Sequence, residues 1–147
     1  MAKFVHRDYT EEATGLFSRF VERHKLSYQV DHDAPVEVLW RLPVQEGLSL
    51  PLTLGLQNWD ELNLGVEQFW SYFFPFDDVA EEFEQFLDMW IAGDARVGVT
   101  GKRSRILQVR DGTDWKTVYK AGGLPFFTPK PRAFIYNDPA HSNSTMT

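Results

Sequence analysis

An α+β fold built on an antiparallel sheet follows from three observations. Residues 8–25 and 78–92 place apolar side chains at helical spacing. Between and after them run stretches that alternate apolar and polar residues with a period of two. Short turns join those stretches, which favours antiparallel neighbours. The expected order is α-βββ-α-βββ, with about six strands in one sheet and the two main helices on one of its faces. If residues 3–5 also form a strand, paired β-α-β-β-β modules curled into a ligand-holding cup are the alternative.

The first helix has capping-box spacing at Asp8 and Glu11. Ala13, Leu16, Phe17, Phe20, Val21 and His24 make one stripe, with Glu12, Arg19, Glu22 and Arg23 off it. His24, late on that stripe, reads as a boundary residue or helix-dipole partner rather than a catalyst. A short extended piece follows at 28–30. Val36, Val38, Trp40 and Leu42 then alternate with Glu37 and Arg41, as in a half-buried strand. Leu50, Leu52, Leu54 and Leu56 alternate as cleanly, and Pro51 sets the start of that strand outside the ladder. After a turn at QNWDE, Leu62, Leu64 and Val66 open a strand expected to run from 62 toward 73.

That strand enters the aromatic run FWSYFFPFDDVAEEFEQF at 69–86. Trp70, Tyr72 and Phe74 share the face opposite Phe69, Ser71 and Phe73. One face should meet a helix; the other is a pocket, a second layer or an interface. Pro75 stops the strand, Asp77 or Asp78 caps the second helix, and Phe76 staples onto its first turn. Val79, Phe83, Phe86, Leu87, Trp90 and Ile91 form the apolar stripe. Glu81, Glu82, Glu84, Gln85 and Asp88 form the wet face, and Gly93 ends the helix.

Three strands are expected next, at 96–100, 103–110 and 115–120. A three-residue loop of Asp111, Gly112 and Thr113 sets Val109 opposite Trp115, Arg105 opposite Tyr119 and Arg110 opposite Asp114. That register matches apolar to apolar and opposite charges to each other, so it is preferred to a two-residue turn. One more short strand is expected at 132–136. Residues 1–137 read as one domain and 138–147 as a frayed polar tail.

Composition narrows the function classes. The 147 residues are 43% apolar, 24% charged and 15% aromatic, typical of a globular chain with a ring-rich core. There is no cysteine, which excludes disulfides, thiolate metal sites and a cysteine nucleophile. The opening MAKFVHRDYT lacks the apolar stretch of a secretory signal, and no window approaches a membrane span, so a soluble cytoplasmic protein away from membranes is expected. The net charge of −6 argues against bulk nucleic-acid binding.

The charges are segregated. Residues 42–95 hold eleven acids and no lysine or arginine. Residues 95–132 hold nine bases, Arg96, Lys102, Arg103, Arg105, Arg110, Lys116, Lys120, Lys130 and Arg132, against Asp111 and Asp114. In a hairpin the bases interleave with Trp115 and Tyr119, an arrangement that binds phosphate, carboxylate or single strands, covers a solvated sheet, or neutralises acids within the fold.

No motif for a metalloprotease, phosphate loop, dinucleotide or serine nucleophile occurs, so no catalytic residue is assigned and neither a metal nor a cofactor is expected. Asp31, His32 and Asp33 sit before Ala34 and Pro35, where a solvated loop is expected; in a strand His32 would point away from both carboxylates. The favoured reading is a small non-enzymatic binding protein. It would contact a protein partner, or another copy through complementary patches, by the acidic helix face (Glu81, Glu82, Glu84, Asp88) and the aromatic strand. The alternative is a ligand-binding or catalytic cup lined by Trp40, Trp70, Tyr72, Arg105, Trp115 and Tyr119, with Arg105 or His32 anchoring a small anion. Nucleic-acid binding by the basic hairpin ranks last.

Overall fold

The computed structural model describes residues 7–123 and 128–142. The class is the expected one: two helices with antiparallel sheets. The strands differ in number and division. Among the described residues there are nine, in two sheets, in the order α1 (Thr10–His24), β1 (Gln29–Val30), β2 (Val38–Leu42), β3 (Leu52–Gln57), β4 (Glu61–Val66), β5 (Phe69–Phe73), α2 (Phe76–Ala92), β6 (Ala95–Val99), β7 (Arg105–Asp111), β8 (Asp114–Ala121) and β9 (Ala133–Ile135). The first sheet is a meander, β1-β2-β3-β4-β5, and the second is ordered β8-β7-β6-β9. A strand at residues 3–5, which the cup alternative needs, lies outside the described residues.

Three local features account for the differences. The single strand expected over 62–73 is a hairpin, with Val66 paired to Phe69 and Glu67 at φ 52° making the turn. The β7–β8 loop has two residues, not three, since Asp111 pairs with Asp114 and Arg110 with Trp115. Gly112 supplies the positive φ of 61° that such a turn requires. An irregularity between Leu107 and Gln108 then shifts the register, so Leu107 faces Tyr119 and Arg105 faces Ala121.

Both helices bury the stripes read from the sequence. Ala13, Leu16, Phe17, Phe20 and Val21 are buried on α1, and Phe76, Phe83, Phe86, Leu87 and Trp90 on α2. Each large side chain so buried contributes roughly 1.5–3 kcal/mol of transfer free energy. Neither Tyr9 nor Pro75, the residues before the two helices, makes a side-chain cap bond. Asp8 Oδ1 accepts from the Thr10 N–H (2.9 Å) at the start of α1, and at the start of α2 the Tyr9 hydroxyl donates to Asp77 while the Tyr9 ring stacks on Phe76 at 4.6 Å. Hydrogen bonding to Asp77, followed by burial, raises the Tyr9 pKa. At the far end Gly93 takes the left-handed cap (φ 80°), its N–H and that of Asp94 closing on Trp90 and Met89 carbonyls.

α1 lies on β2 and β3, while α2 reaches β4, β5 and β6, so one core joins both helices and both sheets. The sheets are stitched at two places. At one, the Tyr72 N–H of β5 donates to the Tyr119 hydroxyl of β8 (3.2 Å), and the Tyr119 ring meets Phe69 and Phe73. At the other, Asn137, 1% exposed, accepts from Ser49 N–H (2.8 Å) and donates to the carbonyls of Gly47 and Ile91 (2.9 Å each). The following residues stay tied down: Asp138 N–H donates to Ser49 Oγ, and the His141 carbonyl accepts from Gly47.

The α1–α2 face is ionic outside its apolar seam. Arg19 and Arg23 both donate to Glu84 (2.8 and 3.1 Å), and Arg23 and His24 meet Asp88 (2.9 and 2.6 Å). The Arg19 hydrogen bond, followed by Arg23 against a desolvation penalty, holds the Glu84 carboxyl below its ordinary range. With the folded pKa depressed, this stabilisation is complete above the unfolded value of about 4.5 and is lost as pH falls through the folded one. Glu84→Gln is therefore expected to cost about 0.5–1 kcal/mol at neutral pH, a surface-pair magnitude because Arg19 is more than half exposed. The difference in melting temperature between wild type and variant should close in strong acid, which thermal scans across pH read directly.

Candidate functional site

The outer face of the second sheet, turned away from the core, carries the feature the sequence half predicts. Across β8, β7 and β6, Thr117 pairs with Gln108 and Gln108 with Arg96, so one row of side chains crosses three strands. Gln108 Nε2 donates to Thr117 Oγ1 (3.3 Å) and Gln108 Oε1 accepts from Arg96 Nε (2.8 Å). One pair along, Arg110 faces Trp115. The guanidinium carbon of Arg96 lies 4.0 Å from the Trp115 ring centre and 3.7 Å from that of Phe134 on β9. That of Arg110 lies 4.3 Å from the same indole.

Two cations thus share one indole, each favoured by the negative ring face. Their charge is poorly matched. Among the described residues no carboxylate lies within 4.0 Å of Arg96, and Arg110 has only Asp94 at 4.0 Å. Burial, and then the neighbouring Arg110, push the Arg96 pKa down, the signature of a cation that lacks an anion. Strand alternation turns Asp111 and Asp114 to the opposite side of the hairpin. Gly98 beside Arg96 leaves room for the 128–132 segment, since a Cβ there would meet Pro131 at 3.0 Å and Ile106 at 2.9 Å.

The other residues singled out from the sequence are dispersed. Trp40 is 4% exposed, stacked on Tyr28 and edge-on to Phe17 in the core. Trp70 lies on the outer face of the first sheet against Gly65, where a Cβ would come within 2.8 Å of the ring. Tyr72 and Phe74 are exposed beyond it, which identifies the Phe69, Ser71 and Phe73 side as the core face. Tyr119 is a core-side rivet. Arg105 faces the opposite way from Arg110 and staples the 101–104 turn to Gln68. Of the six proposed ligand residues, only Trp115 belongs to the basic outer face.

The acidic set divides. Glu84 and Asp88 are held by α1, while Glu81 and Glu82 are exposed. Asp31 accepts from the Asp33 N–H and pairs with Arg41, while His32 is exposed, the arrangement of a solvated loop. The Asp33 N–H and then Arg41 lower the Asp31 pKa. Among the described residues no cluster of three metal-ligating side chains occurs, and no helix is long and apolar enough to cross a membrane. An open groove of about 330 Å³ lies between α2 and β8, floored by Phe73, Phe83, Phe86 and Val109 with Glu82 and Lys116 also lining it. It contains none of the six proposed ligand residues.

Arg96 and Phe134 are what the sequence reading missed. Their strands are separated by two others in the chain, and only pairing of β6 with β9 brings them together. Comparison with known proteins finds no matching family, curated protein or solved structure. Fold and face together define an α+β chain with a basic, ring-bearing sheet surface.

Proposed function

We propose that this is a non-enzymatic binding protein that receives an acidic protein segment on the outer face of its second sheet. The observation that supports it is the pair Arg96 and Arg110, gathered on the Trp115 indole with Asp94, 4.0 Å from Arg110, as the one carboxylate in reach among the described residues. Ring-stacked guanidiniums are pre-oriented, so less side-chain entropy is lost when a carboxylate docks, and each offers a fork that suits a carboxylate. The flat face with a Gln108–Thr117 hydrogen-bond row suits an extended chain better than an enclosed small molecule. The acidic helix is the weaker contact surface, because two of its four carboxylates are already engaged by α1.

An array of extended peptides graded in glutamate content, with neutral peptides and a single-stranded oligonucleotide as controls, tests this. Affinity should rise with glutamate content, and Arg96→Gln/Arg110→Gln should lower it about tenfold, each exposed ion pair contributing roughly 0.5–1 kcal/mol. Equal binding to neutral peptides would overturn the reading. So would preference for the oligonucleotide with a steep salt slope.

A further inference from the structure

Trp59 stands at the tip of the β3–β4 turn with φ 74°, a left-handed conformation that is unusual for a bulky residue. It follows Asn58, also left-handed at φ 51°. The turn is held firmly: the Trp59 carbonyl accepts from the Tyr9 N–H (3.1 Å), Asp60 N–H donates to the Asn58 carbonyl (2.9 Å), and Asn58 Nδ2 donates to Glu61 (3.0 Å). The indole itself is 45% exposed and has no ring or hydrogen-bond partner among the described residues. A strained backbone thus carries a large ring outward, immediately before Asp60 and Glu61. Such strain persists where function uses it, and tryptophan is among the residues enriched as interface anchors.

The flanking acids select a cationic surface for that ring, and the chain itself presents one. Segregation of eleven acids over 42–95 from nine bases over 95–132 places the two unmatched surfaces on different elements of the same molecule. We infer that the acidic segment received by the basic face is the Trp59 turn of a second copy of this chain, with Asp60 and Glu61 meeting Arg96 and Arg110 and the indole lying on the Phe134–Arg96–Trp115 cluster. This rests on the binding role proposed for that face. The contact is head to tail, so each copy keeps one free turn and one free face, and growth continues into rings or short chains.

Sedimentation equilibrium on two variants, alone and mixed, tests it. Trp59→Gly removes the anchor and keeps the face; glycine adopts the left-handed conformation freely, so this variant should melt at or above the wild-type temperature. Arg96→Gln/Arg110→Gln removes the face and keeps the turn. The wild type should exceed 17.1 kDa increasingly with concentration near 50 mM salt and return toward it near about 500 mM. Each variant alone should stay monomeric, while an equimolar mixture should form a closed heterodimer at twice the monomer mass. A wild type that is monomeric at every concentration overturns the inference, as does self-association retained by either variant or a mixture that fails to pair. If the wild type is monomeric while Arg96 and Arg110 still govern acidic-peptide binding, the second copy is excluded and the binding role stands. Loss of both results removes both.

Discussion

Replacing Trp90 with alanine is expected to lower stability by about 3–5 kcal/mol, a large part of the roughly 5–15 kcal/mol that a domain of this size commands. Trp90 heads the fully buried side chains and sits in the core shared by both helices and both sheets, so α2 would lose its largest buried side chain. The indole Nε1 is buried with no acceptor among the described residues. Trp90→Phe removes that unpaired donor as well as some volume; the relief, typically about 1–3 kcal/mol, offsets most of the lost packing. The phenylalanine variant should therefore fall within about 1 kcal/mol of wild type. Urea denaturation reads both, through the midpoint at an unchanged slope. An alanine variant that melts like wild type would mean that α2 is not central to the core.

The second large effect is expected at Asn137. Its amide closes the junction of β9, the C-terminal end of α2 and the loop before β3, accepting from Ser49 and donating to Gly47 and Ile91. Asn137→Ala leaves three backbone groups without partners in a site that is 1% exposed, and should cost about 2–4 kcal/mol. Hydrogen exchange distinguishes this from a uniform loss: protection should fall first at Ser49, Val97 and Val99, near the junction and along β9, before it falls in α1. Uniform loss of protection would mean that Asn137 does not act locally.

Those two residues show what a sequence exposes. Trp90 was legible, because a stripe with helical spacing between acids admits only one buried side. Asn137 was not: its four hydrogen bonds reach partners 46 to 90 residues away, and nothing local in AFIYND marks it. The same division runs through the strands. The Leu50–Leu56 alternation carried β3 because one face is buried along its whole length. The Glu67 turn was hidden because neither Glu67 nor Gln68 is a usual turn residue, although the backbone goes left-handed there. The β7–β8 register was misread by the most local argument available, charge pairing of Arg110 with Asp114. The fold instead lays Arg110 on Trp115, where cation–π attraction outweighs a solvated ion pair.

The candidate site divides in the same way. That bases and rings would interleave on 103–120 was visible from strand alternation alone. Which of them converge was not, since Arg96, Trp115 and Phe134 come from three strands whose neighbours only the sheet order decides. The neutralisation of Glu84 and Asp88 by α1 is equally non-local, crossing 61 to 65 residues of chain.

Amide and indole chemical-shift mapping during titration with a glutamate-rich peptide tests the central claim most directly. Shifts should concentrate at Arg96, Gln108, Arg110, Trp115, Thr117 and Phe134, and shrink as salt rises. Shifts confined to the α2–β8 groove around Phe83 and Val118, or no shifts at all with the fold intact, would contradict it.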